Sequence, residues 1–361
     1  ENDIYLWIDF ACINQDDVDE KMKGIRSLVS YVAKSQIMII PMRGVIMKDI
    51  HLTKEYGERA WCRLESFIFS IVERARTPLN PAQSFFVGTR KTSLAKFTFY
   101  DKYRPSNGNM TDLADREVIL EIEAEALRLM GYSLVQMSIS KMKESNTRYI
   151  KIVKQFLTNE HIDNLAEQLM DPSMIQYAQS VGGITLDLTE NNIGVEGIDS
   201  LQELTRNSVV EALLLGRNPL GDEGICTLAE LLKHPDCSLR KLDISHLQPR
   251  HLSKRAVTAL ADALRSNISL LEFKVADNKI ADDDAIQLVE TLTSNSTLKV
   301  LDLSKNSIKQ KGNKGIIKTL QRSADSLAFS NLILRFNDLG SSSAGFIKDW
   351  NNNNPDHQII H

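Results

Sequence analysis

The chain has 361 residues, 42% hydrophobic and 25% charged, which is the balance of a soluble globular protein and more length than one hydrophobic core usually serves. Lys plus Arg number 43 against 47 Asp plus Glu, a formal net charge of -4, so no overall basic field draws in nucleic acid or anionic lipid, and neither is expected as a partner. No apolar run approaches the roughly 18 residues of a membrane span, and four cysteines without a C-x-x-C pair point to a reducing compartment, so no membrane insertion and a cytoplasmic location are expected.

In chain order, Ile4 to Ile8 is a continuous apolar run, the pattern of a strand buried on both faces of a parallel sheet, and it stops at Asp9. Met22, Ile25, Leu28, Val29 and Val32 then form one helical face. Gln36 to Ile40 reads as a second buried strand ended by Pro41. A further helix is expected over 59–76, with Trp61, Leu64, Ile68, Ile71 and Val72 on one side. Strand, helix and strand in this order give an open α/β sheet, and Asp9, Asn14 and Gln15 fall just past the carboxyl end of its first strand, where such sheets bind ligands.

The run Tyr5-Leu6-Trp7-Ile8-Asp9-Phe10-Ala11-Cys12-Ile13-Asn14-Gln15-Asp16 is similar to the opening of the fungal heterokaryon-incompatibility (HET) domain. Further on, Arg59-Ala60-Trp61-Cys62-Arg63-Leu64-Glu65 resembles the W-C-x-x-E stretch of Toll/interleukin receptor (TIR) domains. The resemblance implies a partial TIR-like parallel-sheet domain over 1–131, with its first strand upstream of residue 1, and a signalling role that includes self-association. In TIR relatives that cleave NAD, the Glu of this stretch is the catalytic carboxylate, and Glu65 matches it. The implied reaction uses NAD as a substrate and no resident cofactor, with Asp9, Asn14, Gln15 and Trp61 as candidate residues for holding it. One carboxylate beside the ribose suffices to stabilise the developing oxocarbenium charge, because nicotinamide leaves as a neutral molecule. The plainer alternatives are that Glu65 pairs with Arg59 or Arg63 and that Trp61 is a core residue.

From Thr77 to Thr111 the chain mixes Pro, Ser, Asn and Gly with six aromatic residues, and it reads as an irregular extension of the first domain. A helix over 113–130 follows. Helices over 146–170 belong to a connector and cap spanning 132–182.

The rest of the chain repeats. The pattern L-x-L-x-x-N-x-L occurs at Leu186, Leu188, Asn191 and Ile193, then from Leu213, Phe273, Leu301 and Leu332; a degenerate copy at Leu242 and Ile244 has Leu247 where Asn belongs. The six copies lie 27 to 31 residues apart, which leaves room for a helix in each. Alternate side chains of a short strand point one way, and an Asn can bond backbone groups where the chain leaves the strand. These features resemble ribonuclease-inhibitor-type leucine-rich repeats and imply an α/β horseshoe over 183–350 whose concave face takes a protein partner.

The outward residues can be read from the spacing. Asp187, Asp243, Lys274 and Asp302 fall between the paired apolar positions, and Glu190, Arg217, His246, Asp277, Lys305 and Phe336 precede each Asn or its replacement. Their mixed charge suits a protein partner, since a nucleic-acid backbone would demand a Lys/Arg excess. His246 and His251 have no third ligand at metal spacing, so no metal site is expected. The reading that follows is a sensor or adaptor. Its rivals are an NAD glycohydrolase governed by the repeats and a repeat scaffold without catalysis.

Overall fold

The computed structural model of the chain describes residues 115–323, 327–340 and 343–361 throughout, and before them 37–41, 59–75, 83–87, 92–94 and 104–110 with single residues between 20 and 35. The chain divides between Ser133 and Leu134 into two units.

In the first unit, strand β1 (Ile37–Pro41) pairs in parallel with β2 (Gln83–Val87), and β3 (Thr92–Leu94) runs antiparallel to β2. Helix α1 (Ala60–Ala75) lies between β1 and β2 in the chain, and α2 (Asp115–Glu144), of which residues 115–133 belong to this unit, follows. The expected second strand and the helix over 59–76 therefore stand within two residues of their anticipated bounds. The strand expected at Ile4 to Ile8 lies outside the described residues. Strands β2 and β3 occupy the stretch read as irregular: Gln83-Ser84-Phe85-Phe86-Val87 is too short for any period to separate strand from loop.

Leu64, Phe67, Ile68 and Phe69 of α1 form this unit's core with Val32, Ile119, Ile122 and Ala126. The start of α1 is clamped by the segment before α2. Ala60 donates its backbone N–H to the Asn109 carbonyl at 3.0 Å, and a Cβ on Gly108 would come within 2.5 Å of the Ala60 Cα, so only glycine fits there. Glu123, almost fully buried on α2, accepts from the Ser106 backbone N–H at 3.1 Å and pairs with Arg104 at 3.4 Å. A buried carboxylate needs such partners, and here they tie α2 to the 104–110 segment.

The second unit is built on an eight-stranded sheet in which neighbouring strands follow chain order and all pairs are parallel. The strands are β4 (Tyr149–Lys151), β5 (Ile184–Asp187), β6 (Val210–Leu214), β7 (Lys241–Asp243), β8 (Glu272–Lys274), β9 (Val300–Asp302), β10 (Asn331–Ile333) and β11 (Gln358–Ile360). Helices α3 (Asn159–Leu169) and α4 (Pro172–Ser180) lie between β4 and β5. One helix then precedes each later strand: α5 (Val195–Arg206), α6 (Gly221–Lys233), α7 (Lys254–Ser266), α8 (Asp282–Glu290), α9 (Gln310–Gln321) and α10 (Ser343–Asn353).

Register aligns the pattern across the sheet. Ile150, Leu186, Leu213, Leu242, Phe273, Leu301, Leu332 and Ile359 stand directly beside one another and are buried. No repeat could bury its member of this column alone, so each strand is held by its neighbours. Two strands lie beyond the six copies read from the sequence. Around β4 the chain reads Ile150, Ile152, Gln155, Leu157, which is the repeat's own spacing with Gln in place of Asn, and this is why a strand stands where helices were expected from 146. At the other edge, the Asn351 side chain accepts from the Ile359 N–H at 2.8 Å and donates to its carbonyl at 3.0 Å, occupying the groups that a further strand would take.

The asparagines bridge consecutive repeats. Asn218 donates to the carbonyls of Leu215 in its own repeat and Leu188 in the preceding one, both at 2.9 Å, and accepts from the Ile193 N–H at 3.1 Å. Asn191, Asn278, Asn306 and Asn337 make the same kind of bridge. Buried backbone groups without partners are costly, so each rung removes a penalty that the tight turn would otherwise create. In the third copy buried Leu247 replaces the rung, and Gln248, Pro249 and Arg250 bulge outward as an exposed loop.

Candidate functional site

Opposite the buried column, the outward side chains of the strands and of the turns after them form a continuous face within the second unit. The turn residues Lys154, Glu190, Arg217, His246, Asp277, Lys305 and Phe336 all have left-handed backbone, with φ between 56 and 61°. This conformation costs a non-glycine residue and turns the chain at the position before each rung, which sets these side chains in one row.

Most charges on the face are already engaged. Glu190 lies 3.0 Å from Lys154 and 3.7 Å from Arg217, Asp187 lies 3.8 Å from Lys151, and His246 faces the Asp277 carboxylate, which Arg250 approaches at 3.6 Å. Asp187, Asp243 and Asp302 also accept from the backbone N–H two residues ahead, at Thr189, Ser245 and Ser304. These three acids therefore shape the turn as well as the surface. Between the expected residues sits a cluster that the sequence reading did not single out: Glu272 bridges Lys241 at 3.1 Å and Lys274 at 3.0 Å. Burial alone would raise the Glu272 carboxyl, but its bonds to Lys274 and Lys241 hold it below the usual range. Burial likewise works against the charge of Lys274, and the bond to Glu272 with the charges of Glu272, Asp243 and Asp302 outweighs it and raises this amine.

The row two residues before each rung or its replacement, Thr189, Gly216, Ser245, Ala276, Ser304 and Arg335, is mostly small, and this has a steric cause. A Cβ on Gly216 would approach the Ser245 carbonyl oxygen to 2.9 Å, so a bulkier side chain there would push adjacent repeats apart. Arg335, the member of this row in the β10 repeat, is exposed.

In the first unit, Asp9, Asn14 and Gln15 lie outside the described residues. Glu65 is half-buried on α1, one turn after Trp61. The Trp61 Nε1 donates to the Asp115 carboxylate at 2.8 Å and its ring packs against the core of that unit, while Arg63 reaches toward the Arg104 carbonyl. No metal-binding cluster of His, Cys, Asp and Glu occurs among the described residues, and none of their helices is long and apolar enough to cross a membrane.

Two stretches, residues 184–201 and 294–316, match the leucine-rich repeat family, so the second unit is a leucine-rich-repeat array of α/β fold. The chain is 31% identical over 188 residues to "NACHT, LRR and PYD domains-containing protein 12" of Mus musculus, across 44% of this chain and 17% of that protein. It is 28% identical over 174 residues to the "Protein phosphatase 1 regulatory subunit 37 homolog" of Caenorhabditis elegans, across 47% and 18%. It is also 25% identical over 189 residues to "Capping protein, Arp2/3 and myosin-I linker protein 3" of Homo sapiens, across 50% and 13%. The chain spans less than a fifth of the length of each of these relatives.

Proposed function

We propose that this protein is a cytoplasmic interaction protein, a sensor or adaptor whose leucine-rich repeats hold a protein partner on the open face of the sheet. The observation that carries this reading is the face itself: eight registered strands fix a row of charged and aromatic side chains that the core does not use. A rigid scaffold presenting variable side chains is a binding device, and its mixed charge favours a protein over a polyanion. The names of two relatives denote attachment to other proteins, one as a phosphatase regulatory subunit and one as a linker of capping protein, Arp2/3 and myosin-I, and the same class of role fits this chain. In this reading the HET/TIR-like N-terminal half passes the binding event on, through self-association.

The test compares the two sides of the array. With the full chain as bait, reversing Arg217, Lys274 and Lys305 to Glu abolishes capture of the partner, whereas reversing the exposed helix residues Glu230 and Lys314 leaves it intact. Equal loss from both sets removes the sheet face as the binding surface.

A further inference from the structure

We infer that the β9–β10 end of this face takes an extended peptide segment carrying carboxylates beside an apolar side chain; the inference rests on the binding role proposed above and narrows it to one place and one partner chemistry.

The argument starts from which side chains are already satisfied. From β4 to β8 the face is laced with ion pairs, Lys154 with Glu190, Lys241 and Lys274 with Glu272, and Arg250 with Asp277. A partner docking there must displace contacts that the protein already makes. At β9 and β10 the pattern changes. Among the described residues neither Lys305 nor Arg335 forms an ion pair; the Lys305 ammonium lies over the Phe336 ring, 5.6 Å from its centre. Two cations and an aromatic ring thus stand together without an ion-pair partner among the described residues.

Phe336 is the second observation. The residue is 77% exposed, the largest exposure among the sizeable hydrophobic residues described, and its backbone is left-handed at φ 61°. The fold explains the backbone, because every repeat turns there, but not the side chain. Glu190, Arg217, His246, Asp277 and Lys305 show that polar residues serve at this position. The contact with the Lys305 ammonium is worth little at so exposed a site, so the fold gains little from a bulky ring at this left-handed position. Aromatic residues beside arginine are what interface centres use: the ring supplies area that a partner's apolar side chain can cover, and the planar guanidinium pairs with a carboxylate through two parallel bonds. Half-buried Ile333 on β10 adds apolar surface beside Asp302 on β9.

The charge of the patch selects the partner. A basic or neutral apolar segment would leave Lys305 and Arg335 desolvated without counterions, a penalty that acidic residues remove. Side chains alternating along an extended segment present an acid and an apolar group at the spacing of adjacent rows.

The experiment selects a displayed library of random 12-residue peptides on the full chain and measures the recovered peptides by fluorescence anisotropy. The expected result is a consensus with Asp or Glu flanking a Leu, Ile, Phe or Trp, bound at least tenfold more weakly by Phe336→Ala and by Arg335→Glu, and unchanged by Lys154→Glu. Both sites are solvent-exposed, so unaltered circular dichroism is expected to accompany the loss. A peptide whose carboxylate facing residue 335 is replaced by Lys regains binding to Arg335→Glu. Peptides that bind the face but ignore Phe336 and Arg335 overturn this inference and leave the wider binding role standing. A library without binders, or a dimer of the full chain that Phe336→Ala dissolves, overturns it as well, the latter by making a second copy the occupant.

Discussion

The two units bury their apolar residues by different rules. In the repeat array the column from Ile150 to Ile359 joins residues about one repeat apart, so every buried position has a counterpart in the next strand. In the N-terminal unit the core brings together Val32, the α1 residues Ala60 to Phe69, and Ile119 to Ala126, with no period linking them. The stability of a stacked array is close to a sum of neighbour terms, whereas a core drawn from scattered segments is lost as a whole. Burial of equal depth should therefore fail in different ways.

The largest expected effect tests that difference directly. Leu301→Ala in β9 and Leu64→Ala in α1 each remove a fully buried side chain and should each cost about 2 to 5 kcal/mol. Native-state hydrogen exchange separates the consequences. Leu301→Ala is expected to lower protection in β8, β9 and β10 while leaving β5 and β6 near their original values. Leu64→Ala should lower it together across α1, residues 104–110 and the first half of α2. A uniform loss along the whole array after Leu301→Ala would show that the repeats melt as one body and would end the contrast.

Buried polar groups sharpen the comparison. The N-terminal unit satisfies Glu123 with Arg104 and the Ser106 N–H, partners nearly twenty residues away and peculiar to that site. The array repeats its device at fixed spacing, above all in the asparagine rung. Asn278 is the rung facing the irregular third copy: it donates to the carbonyls of Ile244 at 2.9 Å and Val275 at 3.3 Å, and it accepts from the Leu247 N–H at 2.8 Å. Asn278→Ala leaves the Leu247 N–H and the Ile244 carbonyl unpaired, while the Val275 carbonyl keeps its bond from Asn306 at 3.2 Å, and should cost about 2 kcal/mol, read from urea unfolding. Faster exchange at Leu247 should accompany it. A change below about 0.5 kcal/mol would mean that the backbone already has other partners and that the rung is incidental.

The same difference decides what could be read from the amino acids. Each of Leu213, Leu242, Phe273 and Leu301 is supported by its neighbours in sequence period, so the array, its buried column and its outward row were legible before any coordinates. The copies at β4 and β11 were not, because Gln155 replaces the rung in one and the other ends in a short Gln-Ile-Ile run. A second pair of bridges escaped too. Asn267 and Asn295 lie six residues before Phe273 and Leu301, and their amides reach back to Leu232 and to Leu264 and Asn267. The recurring Ser-Asn-x-Ser/Thr-Leu at 266–270 and 294–298 was the available signal. On the outward face of the sheet, residue identity was readable from spacing, but the pairing of Glu272 with two lysines was not, since it depends on which side chains cross between strands. In the N-terminal unit, nothing periodic announced that Glu123 and Arg104 would meet.

Asn313 is the place where the array breaks its own rule, and it gives the smallest and most pointed prediction. It occupies the α9 position that Ile198, Ile225, Val257 and Ala285 hold in earlier helices, each three residues before a buried Leu or Ile. The residue is fully buried, and among the described residues neither its amide nitrogen nor its oxygen has a hydrogen-bond partner. A rung such as Asn278 recovers the cost of desolvating its amide; Asn313 does not. Asn313→Val restores the apolar character of the column at similar volume. It should raise stability by about 1 kcal/mol, because valine and asparagine have similar helix propensities and the gain is that of removing an unpaired buried amide. Thermal unfolding of the full chain measures it. A lower midpoint would mean that the amide is bonded in solution and that α9 obeys the same rule of polar satisfaction as the strand side. A higher one would mark residue 313 as a point where the sequence gives up stability that the repeat architecture offers.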